Sequence, residues 1–133
     1  MLRPSLMLLL VATALVLAAC GGGDDKADVE QTVRDFVSVS REPDPEMFCG
    51  EILSQELLEQ TTGATGDNAE DQCRRQLEDA KGVNAELVEI RRTEIDGDAA
   101  TVRAVIRAQG RTQTQTLGLV KEDGRWKLSG GAP

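Results

Sequence analysis

Neither histidine nor tyrosine occurs anywhere in the 133 residues, and the only aromatic side chains are Phe36, Phe48 and Trp126. The first absence removes the commonest general base and the commonest neutral metal ligand, and the second removes the phenolic acid. With three rings there is no platform on which successive bases could stack. Positive charge is also short: the formal net charge is -8, and Arg3 is the one charge in the first nineteen residues, which leaves -9 on the remainder. Such a surface is repelled by phosphate backbones and by anionic headgroups, so nucleic acid is excluded as a partner.

What is present begins with an apolar run. After Arg3 the chain is apolar from Leu6 to Ala19 except for Thr13, the charged-then-apolar order of a secretory signal. The run is shorter than the ~20 residues of a spanning helix and no basic stop-transfer cluster follows, although a retained membrane helix is the alternative. Leu17-Ala18-Ala19-Cys20 resembles the lipobox of bacterial lipoproteins: a leucine, two small residues, then a cysteine. The resemblance implies cleavage between Ala19 and Cys20 and diacylglycerol on the Cys20 thiol, against the alternative of ordinary cleavage beside an unmodified cysteine. Two or more acyl chains anchor stably where one holds weakly. Residues 1–19 are thus expected as signal peptide, 20–26 as lipidated cysteine and flexible Gly/Asp tether, and 27–133 as one domain on the extracytoplasmic side of the cell membrane.

Within that domain, Asp25 is placed to cap a first helix whose apolar face carries Val29, Val33, Phe36, Val37 and Ser40. Pro43 and Pro45 end it, and Asp44-Pro45 starts a second helix with Met47, Phe48, Cys49, Ile52 and Leu53. Ser54 is placed to cap a further turn through Leu57 and Leu58, and Thr61 to Asn68 reads as a loop. A third helix is expected from about Ala69 to Lys81, with Glu70–Arg74 and Asp71–Arg75 paired four apart and Gly82 as its stop. Beyond it the period becomes two. Ala85 to Thr93, Thr101 to Ala108, Arg111 to Lys121 and Arg125 to Leu128 read as strands joined by turns at Asp96-Gly97, Gln109-Gly110 and Asp123-Gly124. In the third strand the Thr/Gln half does not say which face is buried. The expectation is α+β: two to three N-terminal helices packed on a curved four-stranded antiparallel sheet, after a signal peptide.

Three cysteines are odd for an exported chain, but if lipidation takes Cys20, Cys49 and Cys73 are left as a pair. Both fall on the inner faces of consecutive helices, and the compartment permits a disulfide; two buried thiols are the alternative.

The layout resembles a small domain of the nuclear transport factor 2-like (cystatin-like) superfamily, as found on actinobacterial lipoproteins. The residues that carry the likeness are the Phe36 helix, Phe48-Cys49-Gly50-Glu51-Ile52-Leu53-Ser54, the Cys73 helix and Glu122-Asp123-Gly124-Arg125-Trp126-Lys127-Leu128. Members include isomerases, cyclases and dehydratases as well as non-catalytic binding domains, so the fold does not choose among them. Enzymes of the family commonly use Asp, Tyr or His, and two of those types are absent. Asp35, Glu51 and Glu56 are the candidate acids, and solvated helix faces account for them. Asp67, Glu70 and Asp71 lack the spacing of a calcium loop and read as a helix start. Arg91, Arg92, Arg103, Arg107 and Arg111 form a basic strip that is expected to pair with nearby acids, or to dock an acidic partner. The sequence therefore points to a non-catalytic binding or interaction module, with no catalytic residues, metal or cofactor. Its partners are the membrane, through Cys20, and an envelope protein or a small apolar ligand. The alternatives are a carrier with an apolar cavity under the sheet and an isomerase- or dehydratase-like enzyme.

Overall fold

In the computed structural model, residues 22–131 are described for the backbone and 24–130 for the side chains. The lipobox and Cys20 lie outside them. Helix α1 runs Gly22–Arg41, and its valines at four-residue spacing, Val29, Val33 and Val37, are buried. The helix starts before Asp25, so most of the expected flexible tether is helical. Asp25 is not a cap: its carboxylate reaches across to strand residues instead.

Asp44 does cap the next element, accepting from the Met47 N–H at 3.1 Å, and Pro45 holds the first helical position. This helix, α2 (Pro45–Met47), continues as a single π-helical turn over Phe48–Ile52, closed by the Leu53 N–H on the Phe48 carbonyl. The wider turn is where the regular second helix expected from sequence gives way. Leu53 is already extended and forms a parallel bridge to Leu128, while the Ser54 N–H donates to the Leu128 carbonyl at 2.8 Å. The backbone here lies along the outer edge of the last strand, which helps cover it.

Ser54 caps α3 (Gln55–Thr62), its hydroxyl accepting from the Leu57 N–H, and Gly63 ends that helix at φ 73°. Thr61 and Thr62 are therefore helical rather than loop. Helix α4 is Asp67–Leu77, starting earlier and ending sooner than expected. Gly82 does not stop it. The glycine is needed because a Cβ there would lie 1.8 Å from the Arg41 carbonyl oxygen, where the chain crosses the end of α1. The Val83 N–H donates to the Ser40 carbonyl at 2.7 Å at the same crossing.

The sheet is an antiparallel meander in chain order: β1 (Ala85–Asp96), β2 (Ala99–Ala108), β3 (Arg111–Glu122) and β4 (Arg125–Gly131). The turns at Gln109-Gly110 and Asp123-Gly124 have positive φ at both central residues, the two-residue geometry that matches strand twist. Register shifts after Leu87 and Ile90 in β1, and after Gly118 in β3, bend the sheet. On the inner face β2 presents Val102, Ala104 and Ile106, all buried. Register puts Leu117 and Leu119 of β3 on that face, so it is the second half of β3 that enters the core. Thr112 to Gln115 are exposed on both faces. The class is α+β, with helices preceding one curved, open antiparallel sheet.

Candidate functional site: an apolar cleft between helices and sheet

The helices leave a gap that the core does not fill. Along α1, Phe36 sits at the edge of the buried valine stripe rather than within it, so its ring reaches sideways. The Phe48 ring meets it from the π-turn, with centroids 6.4 Å apart and planes 25° from parallel. In α3, Leu57 and Leu58 are neighbours, and one helix step turns them about 100° apart. Leu58 goes into the core and Leu57 stays half-buried. Phe36, Phe48 and Leu57, with Leu77 of α4 and Leu117 and Leu128 of the sheet, line a cleft of about 380 Å³. Thr61 and Gln76 are the polar side chains in its lining, and no ionisable group is among them. Past Leu117, outside the cleft lining, the same face of β3 continues through the exposed Gln115 and Gln113 to Arg111.

One wall is held covalently. Cys49 of the π-turn and Cys73 of α4 form a disulfide across 24 residues of sequence, as the parity of the cysteines predicts, and Cys73 also lines the cleft. Helix α4 buries only Ala69 and Cys73. Its outward side is tied down by Arg74, which pairs with Glu70 at 2.8 Å, with Glu46 at 3.3 Å and with Asp71. The hydrogen bond from Arg74 to Asp71, above all, pushes the guanidinium pKa up. The Glu70–Arg74 pair is thus present as expected. Asp71 turns to Arg74 rather than Arg75, whose guanidinium bonds Gln72.

A second recess of about 200 Å³ lies beside the cleft. Phe36, Phe48 and Leu77 line both, so these three side chains are their common wall. The second recess is otherwise lined largely by apolar groups, including Val39, Pro43, Ala80 and the exposed Val83, with Asp44 and Lys81 bringing opposite charges.

The candidate acids do not meet in this cleft. Asp35 and Glu51 line a separate polar groove of about 300 Å³, together with Asp28, Arg125 and Trp126. Glu56 lies on the exposed side of α3, where it accepts from Gln60. At the start of α1, Asp25 takes hydrogen bonds from the Lys121 ammonium at 3.0 Å and the Trp126 indole at 3.1 Å. These two donors, Lys121 the stronger, hold the Asp25 carboxyl below its ordinary range, and Asp25 in turn raises the Lys121 pKa. In the loop before α4, the Gly66 N–H and then the Gln55 amide lower the pKa of Glu59. The five arginines do not form one strip: Arg111 shares the face of Leu117 on β3, whereas Arg103 and Arg107 lie on the outer face of β2, and Arg91 pairs with Glu89, Arg92 with Glu94 and Arg107 with Glu86. Among the described residues, no group of three or more Cys, Asp or Glu side chains is arranged to hold a metal ion, and no helix is long and apolar enough to cross a membrane.

No protein-family model and no curated protein matches the chain. The cleft itself was not legible in the sequence. Phe36 and Phe48 were read there as helix-face residues, and Leu57, Leu77 and Leu117 acquire meaning only when α3, α4 and β3 converge. The adjacent Leu57-Leu58 pair was the one local signal, because a single buried stripe on a short helix cannot take both.

Proposed function

We propose that the protein is an exported lipoprotein, held at the extracytoplasmic face by acyl chains on Cys20 after cleavage behind Ala19, whose domain is a non-catalytic binding module. Of the readings the sequence left open, the carrier of a small apolar ligand fits the geometry best. The observation that carries it is the cleft of about 380 Å³ whose lining contains no ionisable group. That volume is within the range of small-molecule sites, ~300–1,000 Å³, and such sites are mostly apolar with a few polar groups. An isomerase or dehydratase would need an acid or base aimed into the cavity, and the candidate acids Asp35 and Glu51 line a different groove. Helices followed by a curved antiparallel meander also support placing the domain with the nuclear transport factor 2-like fold.

Ligand binding is tested with the full-length chain in lipid nanodiscs and a diazirine derivative of adamantane, a compact apolar photoprobe. Saturable labelling of Leu57, Leu77 and Leu117 is the expected result, whereas labelling spread evenly over the surface refutes the carrier reading. Anchoring is tested by Cys20→Ala, which should accumulate unprocessed precursor without diacylglycerol. Unchanged lipid labelling of that variant would dispose of the lipobox.

A further inference from the structure

Resting on the reading of the cleft as a ligand site, we infer that its ligand is an uncharged long-chain lipid: the head stays beside Gln76 and Thr61 and the tail passes the Phe36–Phe48–Leu77 wall into the second recess. Three observations set this class. The first is shape. The cleft and the recess share Phe36, Phe48 and Leu77, and the two phenyl rings lie 6.4 Å apart between them. Phe36, Phe48 and Leu77 are each only half-buried, so rotamer changes can open a passage between the two spaces without unfolding an element. With a methylene taking roughly the 30 Å³ of a water molecule, the cleft holds about a dozen carbons and the recess about six more. A compact ligand would fill one space and leave the other unused; an unbranched chain fills both.

The second observation is charge. A fatty-acid carboxylate would need a cationic partner. The cleft offers none, and in the recess Lys81 is offset by Asp44. The domain around it is strongly acidic, which adds a repulsive field for any anion. The third is the polarity of the lining. Thr61 and Gln76 are its polar side chains, and Gln76 is exposed. A hydroxyl and an amide both donate and accept, so they suit the hydroxyl or ester of a neutral lipid, and they impose no charge requirement.

Chain length gives the test. Ala80 is exposed, follows the end of α4 and lines only the second recess, so Ala80→Trp fills that space without touching the cleft. Diazirine derivatives of hexadecanol, decanol, hexadecanoate and adamantane are each titrated onto the full-length chain in nanodiscs, and labelled peptides are mapped by mass spectrometry. Hexadecanol should label Leu57 and Leu117 in the cleft and Val83 beyond the wall. Ala80→Trp should weaken its saturable binding about tenfold or more while leaving decanol unchanged. A circular-dichroism melt matching the parent shows that the variant is folded; if it is not, Ala80→Phe replaces it. Adamantane labelling of the cleft without hexadecanol labelling overturns the long-chain inference and keeps the carrier reading. Equal response of hexadecanol and decanol to the substitution, or hexadecanoate binding as well as hexadecanol, also overturns it. Failure of all four probes to label the cleft overturns the carrier reading itself.

Discussion

Removing the Cys49–Cys73 bridge, by Cys49→Ala together with Cys73→Ala, should destabilise the domain by about 3.5 kcal/mol. The figure follows from chain-entropy loss for a loop closed across 24 residues of sequence. Loss of the two sulfur atoms adds a packing cost to it, because Cys49 is fully buried and Cys73 nearly so. For a domain of this size the shift corresponds to roughly 10–20 °C in Tm. The damage should also be uneven. Helix α4 buries only Ala69 and Cys73, so the bridge is its main attachment to the core, whereas β2 and β3 are held by full ladders and by Val102 and Leu119. Hydrogen exchange on the full-length double variant should therefore speed up across Asp67–Leu77 well before the strand amides respond. Thermal melts followed by circular dichroism give the global number, and exchange gives its location. An unchanged Tm, or exchange that accelerates equally in α4 and β3, would refute the view of α4 as a disulfide-clamped wall of the cleft.

Three further substitutions test the frame around the cleft. Ser54→Ala removes a nearly fully buried cap of α3 and should cost about 1 kcal/mol in a urea titration; no change in midpoint would mean the cap contributes nothing. Gly82→Ala drives a Cβ into the Arg41 carbonyl and should cost about 1–3 kcal/mol by the same assay, with an unperturbed midpoint arguing that the crossing at the end of α1 is soft. Asp25→Asn tests the linkage between α1 and the sheet. The Asp25 carboxyl is held low chiefly by Lys121 and then by Trp126, so its contribution is complete above its ordinary value and disappears as pH falls through the lowered one. The Lys121 pKa is raised, so its share is complete below the ordinary lysine value and lost as pH rises through the raised one. The variant should be less stable at neutral pH and lose less stability than the parent as pH falls below about 4. Parallel stability profiles in that acid range would rule this linkage out.

Much of the fold could be read from local chemistry, and the departures have local causes. Period-two alternation and Gly-containing turns located all four strands, because a hairpin's register is set by the residues at its tip. The helices were harder where tertiary contacts override propensity. Nothing in Phe48-Cys49-Gly50-Glu51-Ile52 announces a π-turn; its widening goes with Leu53 leaving the helix to bridge Leu128, a contact 75 positions away in the chain. Gly82 looked like a helix stop because glycine has that role most often, but its lack of a side chain serves the crossing over Arg41. The disulfide followed from parity and facing. The cleft did not, because it is made of what is left over when four short elements fail to cover one sheet face, and no single segment encodes a gap.

The start of α1 at Gly22 alters how the proposed anchor and the cleft relate. With Cys20 acylated, only Gly21 separates the anchor from a helix, where the sequence suggests a tether of six residues, Gly21 to Lys26. At 1.5 Å per residue, Phe36 lies about 21 Å along that helix from Gly22. The cleft is then carried on a lever of fixed length rather than on a random coil. If α1 stands upright, the cleft mouth lies well outside the headgroups. If α1 lies flat, it brings an acidic surface against the membrane, which anionic lipids resist. The upright arrangement is favoured on charge alone, and in it the cleft faces away from the headgroups. A flexible leash would let the domain tip toward the bilayer; a helix that begins two residues after the proposed anchor holds the cleft away from it.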